Sequence, residues 1–138
     1  METGQRDRVR KYGEVFTPSW VVNMMCGELP DEAWDPGATF LEPTCGDGAF
    51  VCEILRRKFA RCKNRSDYTE ALRSVYAMEI QADNVTKCIT NAEAVCREFF
   101  SPTKEELQIL NDHIIQADSL KVMRMINDMN EREASNAD

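Results

Sequence analysis

Three short apolar runs divide this chain of 138 residues into units of similar length, and each run closes on a carboxylate. Thr39-Phe40-Leu41 leads into Glu42, Val75-Tyr76-Ala77-Met78 into Glu79, and His113-Ile114-Ile115 runs on to Asp118. The acids stand 37 and 39 residues apart, about the length of one strand-helix unit. Between them, apolar residues recur at helical spacing. Phe50, Val51, Ile54, Leu55 and Phe59 fall on one face of a helix over 49–63, and Val85, Cys88, Ile89, Ala92, Val95, Cys96 and Phe99 on one face of a helix over 83–100. A short helix over 67–73 fits between the first helix and the second strand. Alternation of this kind predicts an α/β fold with a parallel sheet. The strands are apolar without alternation, which predicts that both sheet faces are covered. Ligands of open α/β sheets bind outside the carboxyl ends of the strands, so the three acids are expected to line one crevice. For any one of them alone, a helix cap or a solvated loop charge explains the residue equally well.

The flanks organise around this repeat. Residues 1–11 read as a flexible basic arm. Thr17-Pro18 reads as a helix start, with Thr17 as N-cap and Pro18 first in the helix. Trp20, Val21, Met24 and Met25 follow on one apolar face, and Pro30 and the Asp35-Pro36-Gly37 turn end the element. Thr103 with Glu106 has the form of a capping box for another short helix. A last helix from Leu120 to about Met129 carries Val122, Met123 and Ile126, and 131–138 read as a frayed polar tail. Residues 12–130 thus form one domain, a size typical of single domains. No apolar run approaches the roughly 20 residues of a membrane span, and the charged N-terminus lacks a signal-peptide core, so the expected location is cytoplasmic with no membrane partner.

Charge and cysteine usage narrow the chemistry. The net charge is −7. Residues 1–65 balance at 10 basic and 10 acidic, and the whole excess lies in 66–138, with 7 basic and 14 acidic. Such a domain is a poor stand-alone DNA binder, because that affinity comes from neutralising phosphates. Two basic clusters remain, Arg6, Arg8, Arg10, Lys11 and Arg56, Arg57, Lys58, Arg61, Lys63, Arg65. They are either a solvated tail and helix end or a backbone-contacting edge facing nucleic acid. The six cysteines include no C-x-x-C pair and the sole histidine is His113, so a zinc site is not expected and the thiols read as free and mostly buried.

Gly46-x-Gly48 follows the first strand and opens a helix. Two glycines permit a tight turn and close approach of a ligand to the backbone, although many strand-to-helix turns contain them. The loop has no lysine, unlike a phosphate-binding loop, and Glu42 and Asp47 flank it. Two carboxylates disfavour a pyrophosphate and favour a cation. S-adenosylmethionine carries a sulfonium and an ammonium and suits this loop better than NAD or ATP. Glu79 has the position that accepts hydrogen bonds from ribose hydroxyls in nucleotide-binding sheets, and Asp118 is placed to accept from an adenine amino group. Cys45 reads as a small loop residue rather than a nucleophile, since no base lies near it in sequence.

Four segments together resemble the DNA adenine-N6 methyltransferases in which the cofactor half precedes the catalytic half. Gly13-Glu14-Val15-Phe16-Thr17-Pro18 resembles their N-terminal cofactor motif, and Phe40-Leu41-Glu42-Pro43-Thr44-Cys45-Gly46-Asp47-Gly48-Ala49-Phe50 their glycine motif. Ala77-Met78-Glu79-Ile80 resembles the ribose motif, and Gln116-Ala117-Asp118-Ser119-Leu120 the adenine motif. The match spans about 11–121 in the family's order. It implies a Rossmann-like methyltransferase fold, truncated to a three-stranded parallel half-sheet with flanking helices, and S-adenosylmethionine as cofactor. It further implies that Thr17, with Tyr12, Phe16 and Pro18, holds the methionine carboxylate end. Glu42 and the Cys45–Gly48 backbone, with Gly46 and Asp47, would hold the methionine ammonium and main chain, and Pro43 and Phe50 count among the cofactor-binding residues. Glu79 would take the ribose, Ile80 the adenine face, and Asp118 and Ser119 the adenine amino group. Thr17-Pro18 as a plain helix start, and Phe50 and Ile80 as plain core, are the milder alternatives.

The family's catalytic Asn-Pro-Pro-Tyr motif, which holds the flipped base, does not occur in this sequence. The resemblance therefore implies no catalytic residue here, an N-terminal part that is inactive alone, and DNA contact through a C-terminal part or partner chain. The alternative is a non-catalytic cofactor-binding or interaction module that pairs with a catalytic chain or regulates one. In either case the first strand has an open edge, expected to be covered by another copy, by a partner chain or by the C-terminal helix.

Overall fold

The computed structural model describes residues 16–137; the basic arm, Tyr12 and Gly13–Val15 lie outside them. The chain is α/β, with six α-helices and three parallel strands among the described residues. In order they are α1 (Ser19–Gly27), a 3-10 turn (Asp31–Trp34), β1 (Phe40–Glu42), α2 (Ala49–Ala60), α3 (Arg65–Arg73), β2 (Val75–Glu79), α4 (Ala82–Phe99), α5 (Lys104–His113), β3 (Ile114–Gln116) and α6 (Ser119–Asn136). The strands lie in the order β1-β2-β3. Phe40 pairs with Val75 and Glu42 with Ala77, then Ala77 with Ile114 and Glu79 with Gln116. Both connections run through helices, as parallel neighbours require. No helix among the described residues is long and apolar enough to cross a membrane.

The core fills the space between one sheet face and the helices. Phe40, Val75, Ala77 and Ile114 line that face and meet Val51, Leu55 and Phe59 of α2 and Cys88, Ala92 and Val95 of α4. The opposite face carries Leu41, Tyr76, Met78 and Ile115, and only Met78 of these is buried. Tyr76 is 43% exposed, with its ring stacked on His113 at 4.2 Å between centroids. The expectation of two covered faces is therefore corrected. The strands are apolar on both sides, yet all their packed helices lie on one.

Local signals set several boundaries. The capping box is present: Thr103 Oγ1 accepts from Glu106 N, and Glu106 Oε1 accepts from Thr103 N. Asn64 caps α3 by accepting from Asp67 N. The start of α1 differs from expectation. Pro18 rather than Thr17 holds the N-cap position, and its carbonyl accepts from Val21 N and Val22 N. The buried face of α1 is Val22 and Cys26, while Trp20, Met24 and Met25 are exposed. In so apolar a helix two stripes compete, and docking on α2 selects the narrower side chains. The tail is also corrected: α6 continues through Asn130 to Asn136 instead of fraying at 131, and none of its residues is buried. It therefore does not cover the open edge of β1.

The second basic cluster is engaged within the chain. Arg56 pairs with Glu98, Arg57 with Glu53, Arg61 with Asp35 and Arg65 with Glu106. Lys58 is buried and donates to the carbonyls of Asp35, Pro36 and Ala38, which ties α2 to the turn before β1. Burial lowers its pKa to about 8.

Candidate functional site

The carboxyl ends of the strands meet the loop between Glu42 and α2. Gly46 and Gly48 both take positive φ, +54° and +100°, a region that favours glycine. At Gly48 a side chain is excluded twice over: a Cβ there would stand 2.8 Å from Cys88 Sγ and 3.2 Å from Cys88 Cα. At Gly46 a Cβ would lie 3.5 Å from the Phe16 ring, which places Phe16 against this loop. The loop is pinned on two sides. Cys45 N donates to Met78 O at the end of β2, and Asn91 Nδ2 of α4 donates to Asp47 O at 2.9 Å. Gly48 N closes the turn onto Cys45 O at 2.8 Å. The amide N–H groups of Gly46 and Asp47 donate to no residue among those described.

Of the three strand-end acids, Glu79 is the most enclosed, with 8% exposure. Its Oε2 accepts from Gln81 N at 2.8 Å, and no ion pair involves it among the described residues. A buried carboxylate is ordinarily paired or ligating. Glu42 lies on the same sheet face, in register with Ala77, two residues short of Glu79. Its Oε1 accepts from Thr44 N at 3.1 Å and shapes the start of the loop. Asp118 serves as N-cap of α6, with Oδ1 accepting from Leu120 N and Lys121 N. Its second oxygen has no such duty. The milder reading of an acid as a helix cap thus describes Asp118 and does not describe Glu79.

The other candidate residues distribute around this core. Thr17 and Pro43 are partly exposed beside the loop segments, and Pro18 is exposed. Ile80 is exposed at the end of β2, its carbonyl accepting from Gln116 Nε2 at 3.1 Å. Ser119 is the first residue of α6. Phe50 packs against the core from the first turn of α2. Tyr12 lies outside the described residues. Sequence reasoning missed Cys88 and Asn91, the α4 residues that hold the loop, because their link to it spans about 40 residues and carries no local pattern. It also missed Gln116 as a support for Ile80.

Cys45 and Cys88 are both buried under the loop, and Cys88 is pushed far up in pKa by a hydrogen bond with the Cys45 side chain and by burial. A buried thiol raised in this way, as Cys88 is, is an inert packing group. A cavity of about 850 Å3 opens elsewhere, at the amino end of β1, lined by Asp35, Gly37, Arg61, Cys62 and Glu70. It lies behind the Lys58 brace, away from the strand ends.

The strand ends thus present carboxylate acceptors at Glu79 and Glu42, amides at Gly46 and Asp47 that donate to no described residue, and no basic side chain in the loop. Compared with protein-family models, with curated proteins and with solved structures, the chain finds no match.

Proposed function

We propose that this chain is the S-adenosylmethionine-binding part of a DNA adenine-N6 methyltransferase. The observation that carries the reading is Glu79, a carboxylate enclosed at the end of the middle strand, without a counter-ion among the described residues, beside a glycine loop pinned to the same strand. The order of segments along the chain, from Phe16-Thr17-Pro18 through the glycine loop to Glu79 and Asp118, supports the choice of family.

In this reading each residue has a limited task. Gln81 N fixes one oxygen of Glu79, and Oε1 accepts from the ribose hydroxyls. The Gly46 and Asp47 amides face the methionine carboxylate, and Glu42 takes the ammonium. Ile80 covers an adenine face, and the second oxygen of Asp118 accepts from its amino group. The bound cofactor supplies a methyl group activated by its sulfonium. The chain contains no Asn-Pro-Pro-Tyr, so the target adenine would be held by residues outside this sequence. The uncovered sheet face and the open edge of β1 suit a further layer that carries them, either more chain or a partner. A non-catalytic cofactor-binding module shares every contact named here.

Calorimetric titration tests the reading. S-adenosylmethionine is expected to bind, and NAD and ATP are not. Glu79→Ala should weaken binding by roughly 1–3 kcal/mol, the scale of a lost charge-assisted hydrogen bond. No binding at millimolar cofactor, or equal binding by the variant, would overturn it.

A further inference from the structure

The helix α6 stands apart from the rest of the molecule. It is 18 residues long and buries none of them. Val122, Met125, Ile126 and Met129 recur at intervals of three and four and form one stripe, in which Met125 is 63% exposed. An apolar stripe left in water on an otherwise polar helix marks a contact surface.

The charges on α6 say what fits it. The chain is strongly acidic, but α6 is balanced: Lys121, Arg124 and Arg132 against Asp128, Glu131 and Glu133. They are also polarised, with Lys121 and Arg124 and no acid in the first half, and Asp128, Glu131 and Glu133 against the single Arg132 in the second. None of these six is ion-paired among the described residues. A second α6 laid parallel would set like charges side by side. Laid antiparallel, it sets each basic half against an acidic half and opposes the two helix dipoles favourably. At 100° per residue, Lys121 and Asp128 share one flank of the stripe. Pairing Val122 with Met129 and Met125 with Ile126 across the axis leaves Lys121 beside Asp128 of the second copy, and the reverse pair follows by symmetry.

We infer that two copies of this chain associate through an antiparallel α6–α6 contact about a two-fold axis. The contact uses no residue assigned to the cofactor and stands or falls independently of that assignment. Two short stripes bury a modest area, so a weak, concentration-dependent dimer is expected.

Sedimentation equilibrium on the full chain, from micromolar to millimolar, should show a monomer–dimer equilibrium. Met125→Asp, at a position facing solvent in the monomer, should weaken it by more than about tenfold. Lys121→Glu and Asp128→Lys should each weaken it, roughly fivefold, because symmetry applies every change twice. The combined Lys121→Glu/Asp128→Lys chain should recover dimerisation, since the pairs are restored with signs exchanged. Circular dichroism checks that each variant is folded. A monomer at every concentration, or single changes without effect, would overturn the inference. So would a double variant no better than the singles, or protection of Tyr76 and Ile115 by α6 folding back on its own sheet.

Discussion

Glu79 and Glu106 are both buried carboxylates, and they are held in opposite ways. Glu106, 3% exposed, lies between α3 and α5 and is satisfied from every side. Arg65, the Thr69 hydroxyl and the Thr103 amide all donate to it. Burial pushes its carboxyl upward, but the hydrogen bonds from Thr103 and Thr69 and the charge of Arg65 more than offset this and leave its pKa lowered. Glu79, 8% exposed, has one backbone amide and, among the described residues, no cation. The first is a brace, completed by the chain itself. The second is an acceptor that the described residues leave with a single donor, at the strand end where α/β sheets take ligands.

The largest effect is expected at the loop that frames Glu79. Gly48→Val forces a branched side chain into positive φ and against Cys88, and should cost at least about 2–3 kcal/mol in urea unfolding. A tolerated substitution would mean that the loop is not pinned to α4. Next is the brace. Glu106→Ala removes a cap worth about 1 kcal/mol and a hydroxyl bond of similar size, for a loss of roughly 2 kcal/mol. The half-exposed Arg65 adds little to that sum. Glu79→Gln should leave the stability of the unliganded protein within about 0.5 kcal/mol, because no ion pair among the described residues is broken. Equal losses at the two positions would dissolve the comparison.

The pH profile should separate the two acids further. A lowered folded pKa gives stability that is present above the unfolded value of 4.5 and is lost as pH falls through the folded value. The chain should therefore lose more stability on acidification than its Glu106→Gln variant, as thermal melts at pH 5 and about pH 3 would show. A smaller change is expected at the alkaline end. Burial raises Cys52 to about 11 and Cys96 to about 12 from 9.0. Their contribution is complete below pH 9 and is lost as pH rises through those values. Lys58, lowered to about 8 from 10.5, works the other way in that range, but the raised thiols outnumber it. The urea midpoint should be lower at pH 10.5 than at pH 8.5.

How much was legible in the sequence depended on how local each signal is. The Thr103–Glu106 box spans three residues, and Gly46-x-Gly48 stands between a strand and a helix; both were readable because neighbours alone define them. The parallel order followed from apolar runs at even spacing. Which stripe of α1 turns inward was not readable, since Trp20, Met24 and Met25 compete with Val22 and Cys26 and only the fit against α2 decides. Lys58 read as one charge in a basic cluster, because its three carbonyl acceptors arrive from a turn about 20 residues away. Three acids at strand ends looked equivalent in sequence. Their separation into a loop former (Glu42), an incomplete acceptor (Glu79) and a helix cap (Asp118) came from backbone donors that no pattern displays. The polar end of α6 read as a tail because it has no apolar residue larger than alanine after Met129 to mark it as helical.

The central claim is that Glu79 is completed by a ligand, and ligand-dependent stability tests it most directly. Urea unfolding of the full chain is measured with and without S-adenosylmethionine, alongside Glu79→Gln. At a hundred times its dissociation constant, a ligand that binds only the folded state adds about 2.7 kcal/mol. The wild-type chain should gain stability in this way as cofactor is raised, and Glu79→Gln should gain far less from an unchanged baseline. Identical curves for the wild-type chain with and without millimolar cofactor, or an equal gain in both proteins, would contradict the assignment of Glu79.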